Sequence, residues 1–342
     1  MRIGKKMAVC AAGLMRRLAP NLQAVLPAML ATSVSLCATP APAQGWTPQR
    51  HVELVVPQGA GGSLDTTART LQRLWSEMKL VPVSSAVVNR AGGEHSVAYN
   101  FIRQKTGDPH VLSLAVPVIF SNQISGVSAF NHRDVTPVAL LTTEYYLFVV
   151  AANSPLRTGR DFVEALKKNP ASVSVGVTSV LQRIAAGLVL QPENVNVRQV
   201  RMAVFTGGQT TAVAGGHVDV AITSLAQALT HIESGSLRAI AVGSPKRMPG
   251  LLAGTPTWGE LGFRADASQT WRAVIAPRDI TPAQLAYWEG VLKRVTDTEE
   301  FRATAERQRW EISFKGAAEV KKMMDAEYDE MKSVMNYLGL VK

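Results

Sequence analysis

Hydrophobic positions along this 342-residue chain follow two alternating patterns from about residue 52 onward. Short runs rich in β-branched residues predict buried strands, and stretches with an apolar residue every three or four positions predict amphipathic helices. Strands are predicted at 52–56, 83–88, 111–115, 138–141, 147–151, 173–177, 197–200, 218–222, 239–242 and 273–276. Helices are predicted at 64–78, 96–103, 159–168, 181–190, 209–214, 226–234, 282–294, 299–307 and 317–337.

The order of these elements indicates the fold class. Strands and helices take turns over most of the chain, which predicts an α/β fold built from parallel layers with helices on the sheet faces. Beyond residue 282 the pattern predicts mainly helices, and no repeat or low-complexity tract interrupts it. The chain after residue 43 is long enough for two ordinary domains, each with its own core.

The first 43 residues carry the features of an export signal. Five basic residues and no acidic ones lie in this segment, a loosely apolar run covers about 18–37, and Ala41-Pro42-Ala43 provides an A-x-A cleavage pattern. Pro20 and Pro27 interrupt the run well below the ~20 apolar residues that a membrane span requires. We therefore expect export to the periplasm and cleavage after Ala43, with either Met1 or Met15 as the start of translation.

Removal of this segment changes the charge and the cysteine content. The formal charge falls from +10 to +5, because the five basic residues are lost, and no basic cluster of the kind that nucleic acid requires remains. Both cysteines, Cys10 and Cys37, lie in the removed part. Disulfides, cysteine-ligated metals and cysteine nucleophiles are thereby excluded from the expected mature chain.

The stretch 55–75 combines a strand, a glycine turn and a helix. Gly59, Gly61 and Gly62 lack the Cβ that would keep a ligand away from the backbone. Ser63 is predicted to cap the helix through its hydroxyl. A strand end followed by glycines and a helix N-terminus is typical of an anion-binding site.

Three further turns follow predicted strands in the same way, at 89–93, 176–179 and 205–210. Each places free backbone N–H groups at the carboxyl end of a strand, where open α/β sheets bind ligands. Glycines also permit tight turns without any ligand, so a single loop is weak evidence. Four such loops with Ser, Thr and Gln beside them favour a site for a polar ligand.

The motifs of nucleotide-binding proteins and of enzymes are absent. Leu64 stands where a dinucleotide fingerprint has its last glycine, and no P-loop or G-x-S-x-G motif occurs. The six histidines form no metal-binding pair at the usual spacing, although His217 and Asp219 share one strand face. Asp65 lies in the first turn of a helix, where a carboxylate favours the helix dipole. We therefore predict a binding protein with no catalytic residue, no metal and no cofactor.

Six segments together resemble one known family. The pattern VVPxxAGGxxD is matched from Val55 to Asp65, and N-[KR]-x-G-[AG]-G is similar to 89–93, shortened by one residue. G-[GQ]-x-V-D occurs at 215–219, I-x-x-G-x-L-R-A-[IL]-A-V at 232–242, PTWGELGF at 256–263 and TWRAVIAP at 270–277. In this order, the segments resemble the extracytoplasmic solute receptors of tripartite tricarboxylate transporters, the TctC or Bug-type binding proteins.

The resemblance implies a two-lobed periplasmic-binding-protein fold of type II, a Venus flytrap in which each lobe is a sheet flanked by helices. It implies a first lobe at 46–143 plus 274–342 and a second lobe at 144–273. It further implies a monomeric receptor that captures a small carboxylate between the lobes and delivers it to the permease subunits of a secondary transporter in the membrane.

The ligand-binding residues implied by the resemblance fall into two groups, with one aromatic residue between them. The first-lobe group is Gly59, Ala60, Gly61, Gly62, Ser63, Asp65, Gly92 and Gly93. The second-lobe group is Thr178, Ser179, Gly207, Gly208, Gln209 and Thr210. Trp271, at the start of a strand near the predicted domain crossing, is expected to wall the cleft or to pack in the core.

The chain departs from the family at positions that bear on its ligand. Gln58 stands where many members have an aromatic residue, and Glu94 follows the glycines of the second loop, where it would repel a carboxylate if it faced the cleft. Arg183 occupies the region in which many members carry a histidine. A sensory receptor feeding a signalling protein, and an α/β hydrolase or lyase that uses Asp65 or Asp219, remain the alternatives, and the identity of the ligand stays open.

Overall fold

A computed structural model describes residues 45–263 and 269–341 of the chain. The predicted export signal, with both cysteines and the cleavage pattern, lies outside the described residues, as do positions 264–268 beside the second predicted domain crossing. Among the helices of the described part, none is both long and apolar enough to cross a membrane.

The secondary structure alternates as the hydrophobic pattern predicts. The strands are β1 (Val52–Val56), β2 (Ser85–Asn89), β3 (Val111–Ala115), β4 (Val135–Ala151), β5 (Ser174–Val177), β6 (Arg201–Val204), β7 (Val220–Ser224), β8 (Leu237–Val242), β9 (Gln269–Pro277) and β10 (Glu311–Gly316). The helices are α1 (Ser63–Glu77), α2 (Ser96–Arg103), α3 (Val118–Ile124), α4 (Gly159–Lys168), α5 (Val180–Leu190), α6 (Gln209–Ala214), α7 (Leu225–Glu233), α8 (Pro282–Thr296), α9 (Glu299–Gln308) and α10 (Ala317–Tyr337).

The strands form two connected sheet sections, which confirms the predicted α/β class. The first section has the order β2-β1-β3-β9-β4-β10, and the second has the order β8-β4-β7-β5-β6. Pairs β1–β2, β1–β3, β5–β6 and β5–β7 are parallel, whereas every pair made by β4 or β9 is antiparallel. The predicted parallel pairing is therefore present in part, and both sheet sections are mixed.

Strand β4 is one continuous strand of 17 residues rather than the two strands predicted at 138–141 and 147–151. The intervening residues, Thr142 to Tyr146, include threonines and a glutamate and so interrupt the apolar pattern. Thr142, Thr143 and Tyr146 are nevertheless buried. The first part of β4 pairs with β9 and β10, and the last part pairs with β7 and β8. We call β4 and β9 the crossing strands.

Other differences from the predicted elements are local. The segment predicted as a strand at 197–200 forms a 3₁₀ turn, Val197–Gln199, followed by Val200, and the strand begins at Arg201. Valines at both ends of that segment are buried, so their apolar character reflects packing rather than a strand. Helix α3 and strand β10 are present although the pattern did not predict them.

The core positions the predicted binding loops. Helix α1 buries Leu64, Ala68, Leu71 and Trp75, the apolar face that its spacing predicted, and Trp75 packs against Trp288 of α8 at 6.0 Å between ring centroids. Because β1, β2 and β3 are parallel in register, their carboxyl ends share one edge of the first section. The glycine loops that follow β1 and β2 therefore start side by side.

Candidate ligand-binding site

The first glycine loop is held in shape by Asp65. Gly61 adopts φ 82°, and its N–H donates to Asp65 Oδ2 at 2.9 Å. The same buried carboxylate accepts from Arg69 Nε at 2.8 Å and from Asn89 Nδ2 at 2.9 Å. These hydrogen bonds, above all the one from Arg69, lower the pKa of Asp65 to about 2. Since Asn89 begins the second loop, Asp65 fastens the two glycine loops together.

The start of helix α1 differs from the prediction for Ser63. The cap position is Gly62, which has no side chain, so Ser63 does not cap the helix. Gln58 reaches the helix instead, and its Oε1 accepts from the N–H of Leu64 at 3.2 Å. The absence of a side chain at Gly62 makes this possible, because a Cβ there would lie 2.2 Å from Gln58 Oε1. The Ser63 hydroxyl is left to accept from Arg272 Nη2 at 3.3 Å.

The second loop contains four consecutive residues with positive φ. Gly92 has φ 124°, Gly93 53°, Glu94 49° and His95 77°. This left-handed backbone is costly for Glu94 and His95, and Asn122 stabilises it by donating to the carbonyl oxygen of Glu94 at 2.6 Å. Gly92, Gly93 and Glu94 are exposed at the loop surface, whereas burial of the His95 ring lowers the pKa of that histidine.

In the second sheet section, Thr178 and Ser179 lie at the start of α5. Both the N–H and the hydroxyl of Thr178 donate to Gln182 Oε1, at 2.6 Å and 3.2 Å. Ser179 caps the helix, since its hydroxyl accepts from the N–H of Gln182 at 3.4 Å. The buried Gln182 therefore fixes the turn in which both predicted residues lie.

The third predicted loop is divided between exposed and buried residues. Gly207 and Gly208 are exposed, and a Cβ at either position would meet no other atom within 4 Å. Gln209 and Thr210 are buried, and Gln209 Nε2 donates to Gln227 Oε1 at 3.3 Å. The loop thus offers backbone at its surface and holds its polar side chains from within.

Trp271 lies apart from the glycine loops. Its ring is buried and packs against Phe120 with centroids 5.9 Å apart, and its Nε1 donates to Glu327 Oε2 at 2.7 Å. It lines a cavity of about 570 Å³ between the crossing strands, α5 and α10, which we call the α10 cavity. Among the described residues, those lining this cavity include Tyr145 and Glu330 and none of the glycines of the loops.

A row of polar side chains, not predicted from the sequence, lies on the opposite face of the crossing strands. Arg272 contacts Ser63 at one end of the row and pairs with Glu144 at 3.2 Å. Tyr146 follows, and its hydroxyl lies near the side chains of Thr270 and Ser179. The row therefore connects the first glycine loop with the turn at the start of α5. The signal that would have revealed it is the alternation of polar residues within two apolar strands.

The arrangement supports binding better than catalysis. Asp65 is engaged in the loop, and Asp219 Oδ2 accepts from the N–H and hydroxyl of Ser174 at 2.7 Å and 2.6 Å. Both carboxylates of the hydrolase alternative thus have structural partners. Within residues 45–263 and 269–341, no group of three or more His, Cys, Asp or Glu side chains is placed to hold a metal ion.

Sequence comparison identifies a matching family and several relatives. A family model described as the tripartite tricarboxylate transporter family receptor, TctC, matches residues 68–340. Protein BugT of Bordetella pertussis is 27% identical over 69% of this chain and 73% of its own length. The UPF0065 protein in the gbd 5' region of Cupriavidus necator is 24% identical over 91% of this chain and 94% of its own.

Three solved structures have the same fold as this chain. A TctC solute binding protein from Polaromonas, without ligand, has a TM-score of 0.74 at 22% identity and covers 84% of this chain and 99% of its own. Rpa4515 of Rhodopseudomonas palustris with adipate has a TM-score of 0.68 at 21% identity and covers 86% of this chain and 99% of its own. MatC of the same species with bound malate has a TM-score of 0.63 at 20% identity and covers 84% of this chain and 99% of its own. The likeness confirms the two-lobed periplasmic-binding-protein fold.

Proposed function

The chain belongs to the TctC family of tripartite tricarboxylate transporter receptors, and from that premise we propose that it captures a small organic carboxylate and delivers it to the membrane permease of such a transporter. Members of this family are solute-binding receptors and not enzymes. The proposal concerns the ligand class, the residues that hold it and the partner that receives it.

The observation that carries the proposal is the pair of glycine loops fastened together by Asp65. In the described part of the chain, the N–H groups of Ser63 and Asp65 at the start of α1 have no acceptor. The loop thus presents unpaired N–H donors at the positive end of a 15-residue helix, which favours an anion. Gly59, Ala60, Gly61, Gly62 and Ser63, joined by Gly92 and Gly93, form the proposed carboxylate grip.

The remainder of the ligand is proposed to contact the second sheet section. The candidates are Thr178, Ser179, Gly207, Gly208, Gln209 and Thr210, of which Gln209 and Thr210 act from buried positions. We keep the proposed lobes at 46–143 plus 274–342 and at 144–273, joined by the crossing strands. Closure of the lobes would stabilise the bound state only to the extent that the ligand binds the closed form more tightly. Trp271, which lines the α10 cavity, is included among the proposed ligand-binding residues.

Two solved structures of the same fold support the ligand class. They contain malate and adipate, which are both small dicarboxylates. The loops of the present chain offer the backbone donors that such an acid requires, and the charged residues near them include Arg69 and Arg272. We therefore propose a small mono- or dicarboxylate as the ligand class.

Export to the periplasm is proposed from the A-x-A pattern at the end of the basic and apolar N-terminal segment. Mass spectrometry of the protein recovered from the periplasm of a host cell is expected to find Gln44 as the first residue. Retention of the segment in a membrane fraction would contradict this part of the proposal.

The binding proposal is tested by a melting-shift panel of mono-, di- and tricarboxylates, with amino acids and nicotinate included. A ligand present at about one hundred times its Kd is expected to add about 2.7 kcal/mol to the free energy of unfolding. A panel in which carboxylates give no shift, or in which an ester or carboxylate is turned over continuously, would overturn the proposal. Transport is tested separately, since deletion of the gene is expected to abolish uptake of the acid that binds.

A further inference from the structure

Three side chains form a line from the first glycine loop into the interior of the protein. Arg272 Nη2 donates to Ser63 Oγ at 3.3 Å and to Glu144 Oε2 at 3.2 Å. The Arg272 side chain is 6% exposed and that of Glu144 is 13% exposed, whereas Ser63 lies at the surface of the loop. The exposed loop is thus connected directly to a buried ion pair.

The ion pair leaves two of the three guanidinium nitrogens of Arg272 without a hydrogen-bond partner among the described residues. These two nitrogens, Nε and Nη1, are buried, and the guanidinium lies 4.3 Å from the centre of the Trp310 ring. Burial lowers the pKa of Arg272, and Glu144 opposes that shift. An arginine in a protein nevertheless keeps its charge, because its pKa lies far above neutrality. A positive charge with unused donors therefore sits beneath the start of α1.

The contact with Arg272 determines how Ser63 can interact. A guanidinium has only donors, so the Ser63 oxygen must accept, and its own hydrogen is directed away from Arg272. Within the described residues this hydroxyl donates to no acceptor. It lies next to the unpaired N–H groups of Ser63 and Asp65 at the positive end of α1. Its hydrogen is therefore available to a group bound at the loop.

From this geometry we propose that Arg272 is a positioning residue that turns the Ser63 hydroxyl toward a bound carboxylate and supplies positive charge beneath it, while Glu144 limits that charge. The inference rests on the proposed function, since it concerns how the same site holds its ligand. It assigns opposite effects to the two members of the ion pair: Arg272 strengthens the binding of the anion, and Glu144 weakens it.

The test is a double-mutant cycle with L-malate and adipate as probes, in which the Kd of each acid is measured by calorimetry at low and high salt. Ser63→Ala is expected to weaken binding about tenfold, as loss of one charge-assisted hydrogen bond would. Arg272→Met is expected to weaken binding at least as much. The double variant is expected to bind no worse than Arg272→Met, because both changes remove the same interaction.

Glu144→Gln is the more decisive test of the proposed charge effect. It keeps an oxygen that can accept from Arg272, and it removes the negative charge that opposes the guanidinium. We expect it to bind both acids several-fold more tightly than the unchanged protein, with a steeper dependence on salt. Arg278→Met is the matched control for Arg272→Met, since Arg278 directly follows the same strand with an exposed side chain and its loss lowers the net charge equally. The control is expected to bind like the unchanged protein.

Several outcomes would overturn the inference. Additive effects of Ser63→Ala and Arg272→Met would do so, as would weaker binding by Glu144→Gln. If Arg272→Met fails to fold, Arg272→Lys is used, and it must keep most of the affinity that Arg272→Gln loses. If the unchanged protein binds carboxylates and all these variants bind them equally well, the inference fails and the proposed function stands. If the unchanged protein binds no carboxylate in the panel, the proposed function fails and the inference fails with it.

Discussion

Trp271 Nε1 lies 2.7 Å from Glu327 Oε2, so a crossing strand is hydrogen bonded to the C-terminal helix through the carboxyl group of Glu327. Burial in the α10 cavity raises the pKa of Glu327 to about 7, and the neighbouring Glu330 acts in the same direction. Lys315 also lines the cavity. The protein therefore holds a carboxyl group that gains its charge near neutral pH at the junction of its two sheet sections.

The first prediction concerns the pH dependence of stability. The folded state holds the proton of Glu327 up to about pH 7, whereas the unfolded chain releases it near 4.5. The stabilisation from this group is therefore complete below about pH 4.5 and is lost as the pH rises to 7. The loss is expected to be on the order of 3 kcal/mol in the free energy of unfolding.

Urea unfolding of the unchanged protein and of Glu327→Gln between pH 4.5 and 8 measures this effect. The glutamine keeps an acceptor for the indole and has no charge to gain, so the variant is expected to lose less stability over this range. Asp329→Asn, an exposed change on the same helix, serves as the control. Equal slopes for Glu327→Gln and the unchanged protein would contradict the prediction.

The second prediction concerns Gly61 and its matched glycine, Gly107. Both have left-handed backbones, with φ 82° and 77°, and a Cβ at either would meet no other atom within 4 Å. Alanine is expected to lower the free energy of unfolding by ~1–2 kcal/mol at each position. Only Gly61→Ala places its methyl group at the proposed carboxylate grip, so only this variant is expected to lose carboxylate affinity, by tenfold or more. Equal affinities of the two variants in calorimetry would argue against the grip.

The third prediction concerns the carboxylate that fastens the glycine loops. Asp65 has a folded-state pKa of about 2 against an ordinary value of 3.8. Its stabilisation is therefore present above about pH 4 and is lost as the pH falls toward 2. At pH 7, Asp65→Asn is expected to cost about 2 kcal/mol.

The same variant is expected to weaken carboxylate binding, because Gly61 and Asn89 lose the charged group that connects them. Arg69→Gln removes one partner and leaves these two contacts in place, so it is expected to cost less in both measurements. A greater loss of affinity in Arg69→Gln than in Asp65→Asn would contradict the prediction. It would show that the positive charge of Arg69, and not the fastening of the loops, determines the carboxylate affinity.

The fourth prediction compares two glycines inside helices. A Cβ at Gly187 of α5 would lie 2.6 Å from Val334 Cγ1 of α10, whereas one at Gly290 of α8 would meet nothing within 4 Å. Gly187→Ala is expected to destabilise the protein by ~1–3 kcal/mol through overpacking. Gly290→Ala is expected to stabilise it by ~0.5–1 kcal/mol. Thermal unfolding of both variants measures the difference, and a stabilised Gly187→Ala would contradict the close approach of α5 and α10.

The elements around the glycine loops could be predicted from sequence because their signals are local. The periodic apolar face of α1 and the β-branched run of β1 each occur within a few residues of the glycines between them. The continuity of β4 could not be predicted in this way. Its middle residues include polar types, and they continue the strand because β9 and β10 pair with them.

The contact between Arg272 and Ser63 could not be predicted from local sequence patterns either. Arg272 reaches Ser63 across 209 positions of the chain, and no local pattern records that contact. The prediction that Ser63 caps α1 was wrong for a related reason, since Gln58 in the preceding loop takes the N–H of Leu64. Trp271 lies on the crossing strand β9, and the face of the strand to which it belongs became clear only from the side chains around it.

The continuous strand β4 means that the two halves of this protein cannot be separated by a simple cut. It lies inside both sheet sections, between β9 and β10 in one and between β7 and β8 in the other. Either half made alone would lack part of this shared strand and would expose neighbouring strands with unpaired N–H and C=O groups. Such open edges template association with other chains, so isolated halves are expected to aggregate where the whole chain stays dispersed.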